Sequence, residues 1–186
     1  MKKIFFRLIL FPFFLSAQNT DGSIEFWKNL QTHCGKAYEG KIVAGGKEGD
    51  GFTGEKLVMH VRKCNQNNIR IPFFVGDDKS RTWVLSLQKD NTMLLKHDHR
   101  NPDGSEEKLT QYGGRSTNTG MADMQIFPAD QHTTNILPKA ATNVWWFTLN
   151  EDTLTYNLRR IGSDRFFSVE FDLTKEIDTP AAPWGN

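Results

Sequence analysis

Polar and apolar residues alternate with a period of two along much of this chain, the mark of strands with one buried face. The clearest stretch is RTWVLSLQKDNTMLLKHDHRNPDGSEEKLTQYGG, residues 81–114. Arg81, Trp83, Leu85 and Leu87 share one face; after a turn at QKDNT, Met93, Leu95, His97 and His99 take up the same face. Pairing Leu87 with Met93 sets Leu85 against Leu95, Trp83 against His97 and Arg81 against His99. Closing the next turn on Asp103 predicts Arg100 opposite Glu106 and Asp98 opposite Lys108 on the outer face. The inner face then carries a row Arg81, His99, Glu107 beside a row Trp83, His97, Leu109.

NVWWFTLNEDTLTYNLRRIGSDRFFSVEFDLT repeats the pattern over three strands. Leu149 with Leu154 sets Phe147 against Tyr156 and Trp145 against Leu158. Arg160 with Arg165 sets Leu158 against Phe167, Tyr156 against Val169 and Leu154 against Phe171. One register thus keeps every one of these apolar residues on one face, which a slip of one residue would undo. It also leaves Arg160 and Arg165 opposite each other at the edge of that face. Two such cations are unfavourable unless solvent or an anion separates them. RTWVLSLQKD and NVWWFTLNED run in step, with Trp83/Trp145, Leu87/Leu149 and Asp90/Asp152 aligned.

The remaining elements are read in the same way. DGSIEFWKNLQTHCG predicts a short helix capped by Asp21 or Ser23, with Ile24, Trp27, Leu30 and Gln31 on one face and Gly35 at its end. AYEGKIV opens the first strand. AGGKEGDGFTG satisfies G-x-G-x-x-G, but the strand-like KLVMHVRKC follows where a dinucleotide site needs a helix, so a flexible hairpin loop is expected. NIRIPFFV places Ile69, Ile71, Phe73 and Val75 on one face, and Pro72 predicts an edge strand or a bulge. The long polar stretch from Gly113 to Asn143 reads as loop, a candidate lid, with MQIF as a short strand. GGRSTNTG has Asn118 where a hydrolase elbow needs glycine.

Composition sharpens this picture. The 186-residue chain opens MKKIFFRLILFPFFLSAQ, a basic then apolar run that reads as an export signal over residues 1–17. The whole chain has 23 Lys and Arg against 22 Asp and Glu. The signal contains Lys2, Lys3 and Arg7 and no acid, so 20 basic and 22 acidic side chains remain. Nothing in that balance favours nucleic acid, and no later segment is apolar enough for a membrane helix. The expected product is exported, to a periplasm or the medium. Cys34 and Cys64 are then expected to form a disulfide tying the helix to an early strand. Residues 18–174 form the expected domain, with 175–186 as a tail.

The expected fold is all-β, an antiparallel up-and-down barrel or half-barrel of about eight to ten strands with a short N-terminal helix. In this it resembles the calycin group, the lipocalin and fatty-acid-binding barrels. That resemblance covers residues 22–174 as architecture and implies a small ligand held in the interior. Candidate wall residues are Trp83, Trp145, Phe147, Tyr156 and Phe167, with Arg81, His97, His99, Glu107, Arg160 and Arg165 as polar contacts. HDHRNPD resembles the first cupin motif, with Asp103 in the place of Glu. His-x-His on a strand aims both imidazoles to one side, making His97 and His99 the candidate metal ligands, but no third ligand follows at a known spacing. No cofactor is expected. The function expected is binding of a small amphipathic or anionic molecule. The alternatives are an envelope interaction module with a filled core, and an enzyme using His97 or His99 as base with Glu107 or Asp98 orienting the ring.

Overall fold

A computed structural model describes residues 21–185. The expected export signal lies outside the described residues. Helix α1 (Gly22–Gln31) is followed by β1 (Ala37–Ala44), β2 (Leu57–His60), β3 (Lys63–Cys64), β4 (Asn68–Val75), β5 (Asp78–Leu87), β6 (Met93–His99), β7 (Tyr112–Arg115) and β8 (Met124–Pro128). Helix α2 (Gln131–Ile136), a 3-10 turn (Pro138–Ala140), β9 (Asn143–Leu149), β10 (Thr153–Arg160) and β11 (Phe166–Ile177) complete the chain. The architecture is all-β, as expected.

The strands form one antiparallel sheet in the order β7-β6-β5-β4-β2-β1-β11-β10-β9-β8, with β3 pairing β4 to one side. This is a meander in which the last strand returns to the first, so the sheet curls into a nearly closed barrel. Its seam lies between β7 and β8. There the Asp130 N–H donates to the Gly113 carbonyl at 3.0 Å, and the Thr133 hydroxyl donates to that carbonyl and accepts from the Gly113 N–H, each at 2.7 Å. A side chain on Gly114 would collide with the Pro128 carbonyl, which is why the two backbones can meet only across glycine.

Both hairpin registers of β5–β6 and β9–β10–β11 form as the alternation predicts, from Leu87/Met93 to Arg81/His99 and from Leu149/Leu154 to Leu158/Phe167. The β6–β7 corner differs. Arg100 does bridge to Glu106, but His97 pairs with Tyr112, so Leu109 is displaced to the surface. The cause is Asp98, buried on the outer face, which accepts from Arg70 at 2.5 Å, Arg100 at 2.8 Å and Gln111 at 2.9 Å. Gln111 adopts the left-handed conformation (φ 59°) and its N–H donates to the His97 carbonyl. The chain therefore loops out before Tyr112. Pro72 lies neither at an edge nor in a bulge. It sits where β4 changes partner from β2 to β3, so its missing N–H faces a break in the ladder.

Helix α1 closes one end of the barrel with Phe26, Trp27 and Leu30, all buried. Phe26 takes the inward place expected of Ile24, because the buried stripe runs through Ser23, Phe26, Trp27 and Leu30 at i, i+3, i+4 and i+7 and leaves Ile24 at its margin. Cys34 and Cys64 form a disulfide with Cα atoms 6.2 Å apart, tying the end of α1 to β3. Among the described residues no helix is long and apolar enough to cross a membrane. At the far end of the chain, β11 continues to Ile177, and the Trp184 N–H donates to the Lys79 carbonyl across the outer surface.

Candidate functional site

The opposite end of the barrel holds a cavity of about 280 Å³. Its floor is built by inward positions of β4, β5, β9, β10 and β11, which alternation had already placed on the core face. Phe73 and Trp83 stack with ring centres 4.6 Å apart, and Trp83 and Tyr156 stack at 4.3 Å. Trp145, Leu158 and Phe167 complete the apolar wall. Around the rim stand Arg81, Lys139, Arg160 and Arg165, and among the described residues no carboxylate lines the cavity.

The two strand histidines face inward together. His97 is buried, with Nδ1 3.1 Å from the Tyr112 carbonyl oxygen and Nε2 2.7 Å from the Tyr156 hydroxyl. A carbonyl can only accept, so the proton sits on Nδ1 and Nε2 accepts from Tyr156. Burial drives this imidazole's pKa down to about 3, as a ring with one donor and one acceptor partner requires. His97 is therefore a neutral structural ring whose lone pair is already taken. His99 lies 3.0 Å from the Tyr112 hydroxyl through Nε2 and 3.7 Å from Glu107 through Nδ1. Burial, and then the Arg81 charge, lower its pKa to about 4. Burial raises the Tyr112 hydroxyl to about 12 and Tyr156 well above its ordinary value.

The rim cations differ in their surroundings. Arg81 pairs with Asp78 and lies over the Phe52 ring, 5.4 Å from its centre. Arg160 donates through Nε to Asn143 at 2.9 Å. Among the described residues no carboxylate lies within ion-pair distance of Lys139, Arg160 or Arg165. Arg165 also acts on Tyr112 and Tyr156, opposing the rise in their pKa. Its charge therefore reaches the floor.

Comparisons with family models, with curated proteins and with solved structures return no match. The residues must speak for themselves.

Of the side chains proposed from sequence, Arg81, Trp83, His97, His99, Trp145, Tyr156, Arg160, Arg165 and Phe167 line this one cavity. Phe147 lies beneath the floor, its ring centre 5.5 Å from Trp83 and 5.3 Å from Tyr156. Glu107 stands outside the rim beside His99. Asp98 is turned to the outer face and orients neither imidazole. Sequence reasoning put Phe73 and Leu158 on core faces without assigning them to the site, and missed Phe52, Thr82, Tyr112, Leu137, Lys139 and Asn143. Phe52 comes from the glycine-rich β1–β2 connection, which is folded rather than loose. There the Asp50 carboxylate accepts from the Lys47, Thr53 and Phe52 N–H groups and from the Thr53 hydroxyl, and the Lys47 N–H, then the Thr53 N–H, do most to hold it well below the usual carboxylate range. The Asp50-x-Phe52-Thr53 spacing, with a short polar cap followed by donors two and three residues on, was the available signal.

Proposed function

We propose that the protein is an exported binding protein for a small amphipathic anion. The anion's charge sits among Arg81, Lys139, Arg160 and Arg165, and its apolar part rests on Trp83, Trp145, Tyr156 and Phe167. His97 and His99 shape the floor as neutral rings, Phe147 supports it from below, and Glu107 holds His99 from outside. One observation carries the reading: four cations ring an aromatic cavity that no carboxylate of the described residues lines. Like charges so placed repel one another, and an anion of the right size removes that cost while gaining apolar burial. The calycin-like architecture supports an interior site, since barrels of this size either fill with side chains or keep room for one small ligand. Export is supported by the Cys34–Cys64 disulfide, which persists in oxidising compartments.

Isothermal titration calorimetry of the full chain tests this with octanoate, 2-naphthoate and the corresponding alcohols. At least one acid should bind, more weakly as salt rises, and Arg165→Ala should weaken it by about tenfold or more while leaving the melting temperature nearly unchanged. Alcohols binding as tightly as acids, or no binding of either acid, would overturn the reading.

A further inference from the structure

Resting on that reading, we infer that the anion is a planar aromatic carboxylate and that Phe52 of the β1–β2 connection forms part of its site. The cavity walls are aromatic. Phe73 stacks on Trp83 at 16° and Trp83 on Tyr156 at 23°, and beside them His97 stacks on Tyr112 at 4.6 Å and 11°. Among the described residues only Leu137 and Leu158 offer aliphatic apolar lining. A flexible acyl chain finds little to interdigitate with there, whereas a ring meets the offset faces and edges that aromatic groups prefer.

Size points the same way. At about 280 Å³ the cavity lies just under the ~300–1,000 Å³ that houses drug-sized ligands. Depth is not available either, because Phe147, Leu154 and Phe171 fill the barrel below and are fully buried. One or two fused rings fit; a long chain does not.

Phe52 packs against Phe167, with ring centres 4.9 Å apart, and so joins the core to the cavity rim. Its loop is fixed by Asp50, yet the ring is left partly exposed at a cationic rim rather than sunk in the core. It lies nearly parallel to Phe73, at 20°, with centres 6.2 Å apart, and covers Arg81 on one side. A bound ring adds a partner to this set while its carboxylate meets the Arg81 and Arg165 forks. A monoanion suits the charge better than a phosphate dianion. Arg81 already pairs with Asp78, and both histidines are neutral.

The test compares 2-naphthoate, octanoate and 2-naphthyl phosphate by calorimetry on the full chain, with wild type and Phe52→Leu, whose folding is checked by circular dichroism. Naphthoate should bind at least about tenfold more tightly than octanoate. Phe52→Leu keeps apolar bulk but loses the ring, so it should weaken naphthoate by about threefold to tenfold and leave octanoate unchanged. Octanoate matching naphthoate, the phosphate exceeding it, or an indifferent Phe52→Leu would each overturn the inference while anion binding itself stood. If neither acid bound wild type, both readings would fall together. The wild-type comparison decides the ligand class even if the variant does not fold.

Discussion

The two ends of this barrel are built from the same kind of strand but finished in opposite ways. At one end Phe26, Trp27 and Leu30 of α1 enter the core and the Cys34–Cys64 disulfide ties the helix to β3. At the other, Trp83, Tyr156 and Trp145 stop short of the rim and leave a cavity under four cations. The closed end holds matched apolar surfaces; the open end holds like charges that repel. Residues arranged for stability alone would not be arranged as the second set is, and this contrast separates the part of the molecule that folds it from the part proposed to face a ligand.

The largest effect expected belongs to the closed end. Leu30→Ala should cost about 3 kcal/mol in urea melts, since a fully buried leucine removed from a helix plug leaves a cavity behind. Its affinity for 2-naphthoate should stay within about twofold under folding conditions. Loss of affinity on the same scale as stability would erase the division between the ends. A smaller effect is expected where the two ends meet. Tyr156→Phe leaves His97 Nε2 without its donor, and should cost about 1–3 kcal/mol of stability, the penalty for an unpaired buried acceptor. An unchanged melting temperature would mean that the Tyr156–His97 hydrogen bond adds nothing to stability.

A further expected effect concerns pH, and both ends contribute. His33 and His60 near α1, and His97 and His99 in the cavity, all have pKa values lowered from 6.5, chiefly by burial. In each case the unfolded chain takes up the proton first. Stability is therefore complete above pH 6.5 and declines as pH falls toward the folded values, about 4 for His99 and about 3 for His97. Melting temperatures measured between pH 7 and pH 4.5 should show this decline. His97→Gln should flatten it.

How far the sequence disclosed this molecule varied by region, for physical reasons. The β9–β10–β11 wall was legible throughout, because short turns fix its register and a slip would expose every apolar residue at once. The floor of the cavity was legible for the same reason: Trp83, Trp145, Tyr156 and Phe167 fall on a face that alternation defines. Tyr112 was not, since a symmetric turn on Asp103 ignores the pull of Asp98 on Arg70, Arg100 and Gln111 from three separate segments. Lys139 and Leu137 were hidden too. They follow α2, whose position depends on the Lys96–Asp130 ion pair at 2.5 Å and on the contact of Thr133 with Gly113. Periodicity reports which face a strand residue takes; it says nothing of where a loop is anchored across the barrel.

The pairing of β1 with β11 has a consequence for the order in which the molecule comes into being. β1 is made early and can join β2 at once, but its second edge is satisfied only when the last strand arrives. Closing that contact spans nearly the whole domain, which makes it a slow, late event. Until then the hydrogen-bonding edges of β1 and β10 stand open, and open edges are where chains join the wrong neighbour.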